Sequence, residues 1–205
     1  MRNFVRLFIK NILRLITVNL LFVFWGVLII TLPAAYTAMI KVVGDIAEEG
    51  ETVETTRLVV KAFLRAFKSN FFQATVYGWG AILLCTGFGY GIWFYGQWDN
   101  AGWGIFPQML ATLCVLMIYT STNPAVVMIG KVSQPLNALI KNSFLLIIIE
   151  SVRVIGCAVI QAVVMVLCIC QIHHMFPCVL TIGFALMGLI KVTILKPVIQ
   201  KYICV

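Results

Sequence analysis

The chain has 205 residues, 62% of them hydrophobic and only 11% charged, with a mean hydropathy of +1.04. Soluble domains carry roughly 25% charged residues, and a chain of this length has too little interior to hide so much apolar surface from water. These totals exclude a soluble globular protein and make the bilayer a second solvent. The net charge of +8 would suggest nucleic acid in a soluble chain. Here Lys and Arg gather at the ends of apolar runs, where orientation and anionic lipid account for them, and no nucleic-acid motif accompanies them.

The apolar runs are long and continuous, not short and alternating, which predicts an all-α, polytopic integral membrane protein. Residues 1–14, MRNFVRLFIKNILR, place Arg2, Arg6, Lys10 and Arg14 on one helical face and form an amphipathic lead-in at the headgroup level. The first apolar run, Leu15 to Leu32, ends at Pro33. A basic start, an apolar stretch and PAAYTA have the outline of a signal peptide, but the run is long for one and the rest of the chain is equally apolar. A retained membrane segment is expected. Four further spans are predicted at 73–96, 105–129, 143–172 and 178–195, joined by QWDNAGWG, KVSQPLNALIKN and HHMFP. One membrane domain covers 1–205, and 44–70 is its only sizeable non-spanning region.

Charge sets the expected topology. Arg57, Lys61, Arg65 and Lys68, then Lys131 and Lys141, then Lys191, Lys196 and Lys201 mark one side, while the other two connections carry no Lys or Arg. The positive-inside rule puts the first set, and the C-terminus, in the cytoplasm. Two readings fit 15–43. A single crossing leaves the basic N-terminus outside; a hairpin turning at Pro33 brings it back to the cytoplasmic side, and the charge balance favours the hairpin. Its second limb, Ala34 to Ala47, spans only about 21 Å, so it must start below the far surface. The fold thus has five clear apolar spans, or six membrane segments if the first is a hairpin.

Between 53 and 72 the pattern changes. Val60, Phe63, Leu64, Phe67 and Phe71 recur at spacings of three and four, with Lys61, Arg65 and Lys68 opposite. This is a cytoplasmic amphipathic interfacial helix. Glu48, Glu49, Glu51 and Glu54 precede it, near the end where a helix dipole favours negative charge. Its apolar stripe suits lipid, with cations on phosphates, or a partner's groove. Lys61, Phe63, Leu64, Arg65, Phe67, Lys68 and Phe71 are therefore the candidate lipid or partner contacts.

These residues also carry a resemblance. Leu32-Pro33, Glu49-Gly50, and the string Phe63, Phe67, Lys68, Asn70, Phe71, Gln73 and Ala74 resemble the YesL family of Gram-positive polytopic membrane proteins. Asn123-Pro124 followed by KVSQPLNALIKNSFLL resembles that family's later segment. The likeness runs over most of the chain and is specific in the first 75 residues. It implies an accessory role beside a carbohydrate-uptake ABC transporter, with permease or ATPase subunits as partners, and it carries over no catalytic residue.

The remaining polar features are weighed singly. Cys168 to Cys178, CICQIHHMFPC, has metal-ligating residue types, but Cys168 and Cys170 lie about 200° apart on a helix and match no standard zinc spacing. It is read as a polar cap at an outer helix end, and no metal or cofactor is expected. Seven cysteines without a CxxC pair give no disulfide framework. Gly87 and Gly91 form a GxxxG for close helix approach, and Trp93, Tyr95, Trp98 and Trp103 fit an aromatic belt, with Asp99 and Asn100 a weaker sugar-contact candidate. Asn123, Glu150 and Arg153 form a candidate intramembrane polar site, the last two spaced to pair. Five of the seven acids lie between 45 and 54 and are read as a solvated loop. No Walker loop, HExxH or GxSxG occurs, so no enzyme is expected. The reading is a non-enzymatic accessory or scaffold protein of the cell membrane, with a homo-oligomer compatible. The alternative is a small transporter or channel, with Thr120, Ser121, Thr122, Asn123, Glu150, Arg153 and Gln161 lining one cavity.

Overall fold

The computed structural model describes residues 9, 11–49, 56–97, 104–132, 134–171 and 176–202. Every regular element among them is helical: α1 (Ile12–Gly26), a 3-10 turn (Ile29–Thr31), α2 (Leu32–Glu49), α3 (Thr56–Gly96), α4 (Ile105–Lys131), α5 (Leu136–Ile149), α6 (Ser151–Cys170) and α7 (Phe184–Tyr202). A π-helical turn, Val179–Gly183, leads into α7. Five helical stretches are long and apolar enough to cross a membrane: Ile29–Glu48, Thr56–Gly96, Ile105–Lys131, Ser151–Cys170 and Phe176–Tyr202. The chain is an all-α protein built for multiple membrane passes.

The first apolar run is a hairpin. α1 ends at Gly26, earlier than the expected turn at Pro33, and Val27–Thr31 reverse the chain. Thr31 secures the reversal by donating its hydroxyl to the carbonyls of Trp25 and Leu28. Pro33 does not make the turn. It lies in the first turn of α2, where a fixed φ favours the helix and its missing N–H is not needed. The two limbs meet through Phe22 and Tyr36, whose rings are 5.9 Å apart. Most of the 1–14 lead-in lies outside the described residues; Arg14 donates to Asn11 Oδ1 at 2.8 Å.

The segment expected as a separate interfacial helix is the first half of α3. Its described part, from Thr56, runs unbroken into the 73–96 span for 41 residues, about 62 Å. No Gly or Pro occurs between Thr56 and Tyr77, so nothing in the backbone interrupts the helix where the side chains change character. The opposite departure occurs at 143–172. Glu150, at φ −122° and ψ 44°, splits that predicted span into α5 and α6, and α5 begins at Leu136, inside the expected connection. Three consecutive β-branched residues, Ile147 to Ile149, precede the break, and such residues hold a helix less firmly.

Two contacts align the long helices. Gln73 Nε2 donates to the Gln134 carbonyl at 2.8 Å, just beyond the end of α4, and Gly96 near the other end of α3 meets Gln108. α3 and α4 are therefore antiparallel over the whole of α4. No charged residue lies between Ala74 and Gly96 or between Ile105 and Gly130. The 23 residues from Ala74 to Gly96 measure about 35 Å, enough for a ~30 Å hydrocarbon core. Gln73 and Lys131 thus mark one border of an uncharged slab, and the basic half of α3 emerges beyond it.

α2 crosses this border and is the core of the bundle there. Ala34, Ala35, Ala38, Met39, Ile40, Val42, Val43 and Ile46 are all buried. A methyl group at Gly78 of α3 would overlap the Pro33 ring, one at Gly130 of α4 would lie 3.1 Å from Lys41 Cβ, and one at Gly188 of α7 would lie 3.0 Å from Ile40 Cδ1. These small residues let three helices approach α2 closely. The GxxxG pair does not work this way: Gly87 faces open space, and Gly91 reaches only Ala111. α7 runs parallel to α2 in constant register, with Gly188 beside Ile40, Val192 beside Gly44 and Lys196 beside Glu48. Because Pro33 meets Gly78, the hairpin tip stops about 27 Å short of Gly96, as the short second limb required.

Gly78→Ala should lower stability by about 1–3 kcal/mol through overpacking against Pro33. Gly80→Ala, whose methyl meets open space, should be neutral or stabilising. Thermal unfolding of the detergent-purified chain, followed by circular dichroism, compares the two; equal midpoints would contradict the crossing.

Candidate functional site

Residues 57–72 of α3 divide into two faces. Val59, Phe63 and Ala66 are buried, while Lys61, Leu64, Arg65 and Lys68 are exposed. Phe63, at 0% exposure, is wholly covered by its own chain. The Phe63 and Phe67 rings stack at 6.4 Å, Phe67 meets Phe71 edge-on at 5.4 Å, and Trp25 of α1 lies 5.0 Å from Phe67. The stripe therefore rests first on α1 and the core, because the hairpin folds back along this half of α3. What remains open is a hollow of about 450 Å³, lined by Trp25, Leu64, Phe67, Lys68 and Phe71. Phe72, outside the expected stripe, is 81% exposed.

Asn123 is buried but serves its own helix. Pro124 lacks an N–H, so the Thr120 carbonyl loses its usual donor. Asn123 Nδ2 lies 3.5 Å from that carbonyl and 3.4 Å from that of Tyr119. The neighbouring hydroxyls do likewise: Thr120 bonds Leu116 O at 2.7 Å, Ser121 bonds Ile118 O at 2.8 Å and Thr122 bonds Tyr119 O at 2.7 Å. Inside a bilayer such groups must be satisfied internally.

Glu150 and Arg153 do pair, Nη1 to Oε2 at 3.5 Å, but at the end of a span and not in its middle. Glu150 is the break between α5 and α6, and Arg153 lies in the first turn of α6. Glu150 Oε1 also accepts a bond from the Tyr202 hydroxyl at 3.2 Å, tying the start of α6 to the end of α7. The expected polar site is thus dispersed: Asn123 bonds its own helix, and the ion pair bonds Tyr202. Gln161 Nε2 is buried without a partner.

Two polar constellations were not singled out by sequence. Glu48, expected in a solvated loop, belongs to the last turns of α2 and is shared by Lys131 of α4 and Lys196 of α7, the latter at 2.8 Å. One carboxylate joins the ends of three helices. Deeper in the bundle Lys191 is 2% exposed. Its Nζ donates to the Tyr36 hydroxyl at 2.8 Å and lies 4.8 Å from that ring's centroid. Cys157 of α6 is close enough to feel its charge. The sequence does carry a signal, since Lys191 is the one charge within 178–195, but a basic residue near the end of an apolar run also fits a topology marker at the surface. His173, His174, Trp98, Asp99, Asn100 and Trp103 lie outside the described residues. Among the described residues no three His, Cys, Asp or Glu side chains converge as a metal site would require.

A helical chain with five stretches long and apolar enough to cross a membrane has the architecture of a polytopic membrane protein. Residues 15–92 match a family model described as Protein of unknown function, DUF624. The YesL family that the sequence resembles contains this domain. The matched region is the α1–α2 hairpin and most of α3, the unit in which α2 is buried and the aromatic hollow is formed. No curated protein and no solved structure matches the chain.

Tyr36→Phe should destabilise the protein by about 1–3 kcal/mol, because it strips the hydroxyl from a buried ammonium. Lys191→Met, which removes the charge and keeps the apolar stem, should be neutral or stabilising. Unfolding midpoints in detergent give the order; a larger loss in Lys191→Met would show that the ammonium itself holds the bundle.

Proposed function

We propose that this chain is a non-enzymatic accessory or scaffold protein of the cell membrane, acting beside an ABC transporter for carbohydrate uptake in a Gram-positive bacterium. The observation that carries this reading is the fate of the polar residues a permeation path would need. Thr120, Thr122 and Asn123 turn back on their own helix, Ser121 does so and also bonds Tyr77 of α3, and among the described residues the hollow at Trp25 and a second one at Val132, Asn142 and Tyr202 are lined by none of them, nor by Glu150 or Arg153. Beyond the hairpin tip α3 and α4 instead present large apolar side chains outward, among them Leu83, Trp93, Phe106 and Met109. Such a surface suits lipid and the helices of a permease equally well, and permeases and ATPases of that transporter class are the partners the YesL resemblance implies. In this reading the basic half of α3 and the Glu48–Lys131–Lys196 end face the cytoplasm, together with both termini.

Affinity purification from native membranes with mass spectrometry should recover permease or ATPase subunits. The purified chain alone in liposomes should move neither sugar nor ion. Flux from the isolated chain, with no subunit recovered, would sink the accessory reading and favour a small transporter or channel.

A further inference from the structure

We infer that the hollow between α1 and α3 is a binding site for one anionic phospholipid, with the phosphate at Lys68 and an acyl chain against Trp25, Phe67 and Phe71. The first support is shape and chemistry. The hollow measures about 450 Å³, within the roughly 300–1,000 Å³ of ligand sites. Four of its five lining residues are apolar or aromatic, and the fifth is a cation. An amphiphile with one anionic end and a long apolar body has that pattern in reverse.

The second support is position. Gln73 marks where α3 leaves the uncharged slab, through its bond to Gln134 beside the end of α4. Leu64, Phe67, Lys68 and Phe71 lie nine, six, five and two residues before it, so the α3 lining of the hollow lies on the headgroup side of the slab border, with Phe71 about 3 Å and Lys68 about 8 Å from it. Phosphates sit at that level in a bilayer, with acyl chains beginning just inside.

The third support is charge. Arg57, Lys61, Arg65 and Lys68 occupy this half of α3, which carries no Asp or Glu anywhere from Thr56 to Gly96. Anionic headgroups are drawn to such a segment, and the hollow turns that general attraction into a seat for one molecule. This inference stands apart from the accessory role, because it concerns the isolated chain.

Native mass spectrometry of the full-length chain in mild detergent tests it, with phosphatidylglycerol and phosphatidylcholine of identical chains as probes. Wild type should retain phosphatidylglycerol at least about fivefold better, the effect of one basic residue on an anionic lipid. Lys68→Gln, an exposed change, should abolish that preference, whereas Lys61→Gln, on the same helix but outside the hollow, should keep it. Glycerol phosphate, with the anion but no chain, should not displace the lipid. Equal retention of both lipids, equal losses in the two variants, an unaltered preference in Lys68→Gln, or displacement by glycerol phosphate would each overturn the site.

Discussion

α2 is a helix of mixed character that cannot stand alone in either solvent. Its middle is apolar, its end carries Asp45 and Glu48, and most of it is buried. Burial on several sides requires neighbours to come close, and the fold meets this with Gly78, Gly130 and Gly188 on three different helices. Small residues at crossings allow backbones to approach where lipid supplies little hydrophobic drive between helices. The charged end is then closed by Glu48, placed between Lys131 and Lys196. The parallel register of α7, the alignment of α4 and the return of α1 all follow from seating this helix.

That arrangement explains why the amphipathic half of α3 behaves as it does. A helix with one apolar stripe needs cover for it. In isolation, lipid or a partner could supply that cover, and the periodicity is the same for both. Here α1 folds back and α2 runs alongside, so Phe63 disappears into the core and Phe67 packs on Trp25. Cover is incomplete at Phe71 and Leu64, and the hollow lies there. The interaction surface is therefore made by two segments over 30 residues apart in sequence.

Several polar residues in the uncharged helices are structural for one physical reason: the hydrocarbon offers no competing hydrogen bonds. Asn123 repairs the gap made by Pro124, and the preceding hydroxyls bond one turn back along α4. Lys191 meets the same constraint differently, through a tyrosine hydroxyl and ring on another helix. Charge type alone does not separate these cases. Lys131 and Lys191 both follow an apolar run, yet one joins an ion pair at a helix end and the other is enclosed between α2, α6 and α7.

The sequence by itself determined the solvent, the helical class, the spans at 73–96 and 105–129, and the Glu150–Arg153 pairing. Each rests on local chemistry: composition, run length, or a three-residue spacing. It also held the hairpin, through the imbalance of charge a single crossing would leave. Only the tertiary structure decided where that hairpin turns, that α3 is continuous, that Glu150 ends a helix, and which face of α3 stays open. Those depend on which surfaces meet, as Pro33 meets Gly78 and Tyr36 meets Lys191. Contacts between residues 45 and 155 positions apart leave no periodic trace in the chain, so they could be read only after it had folded.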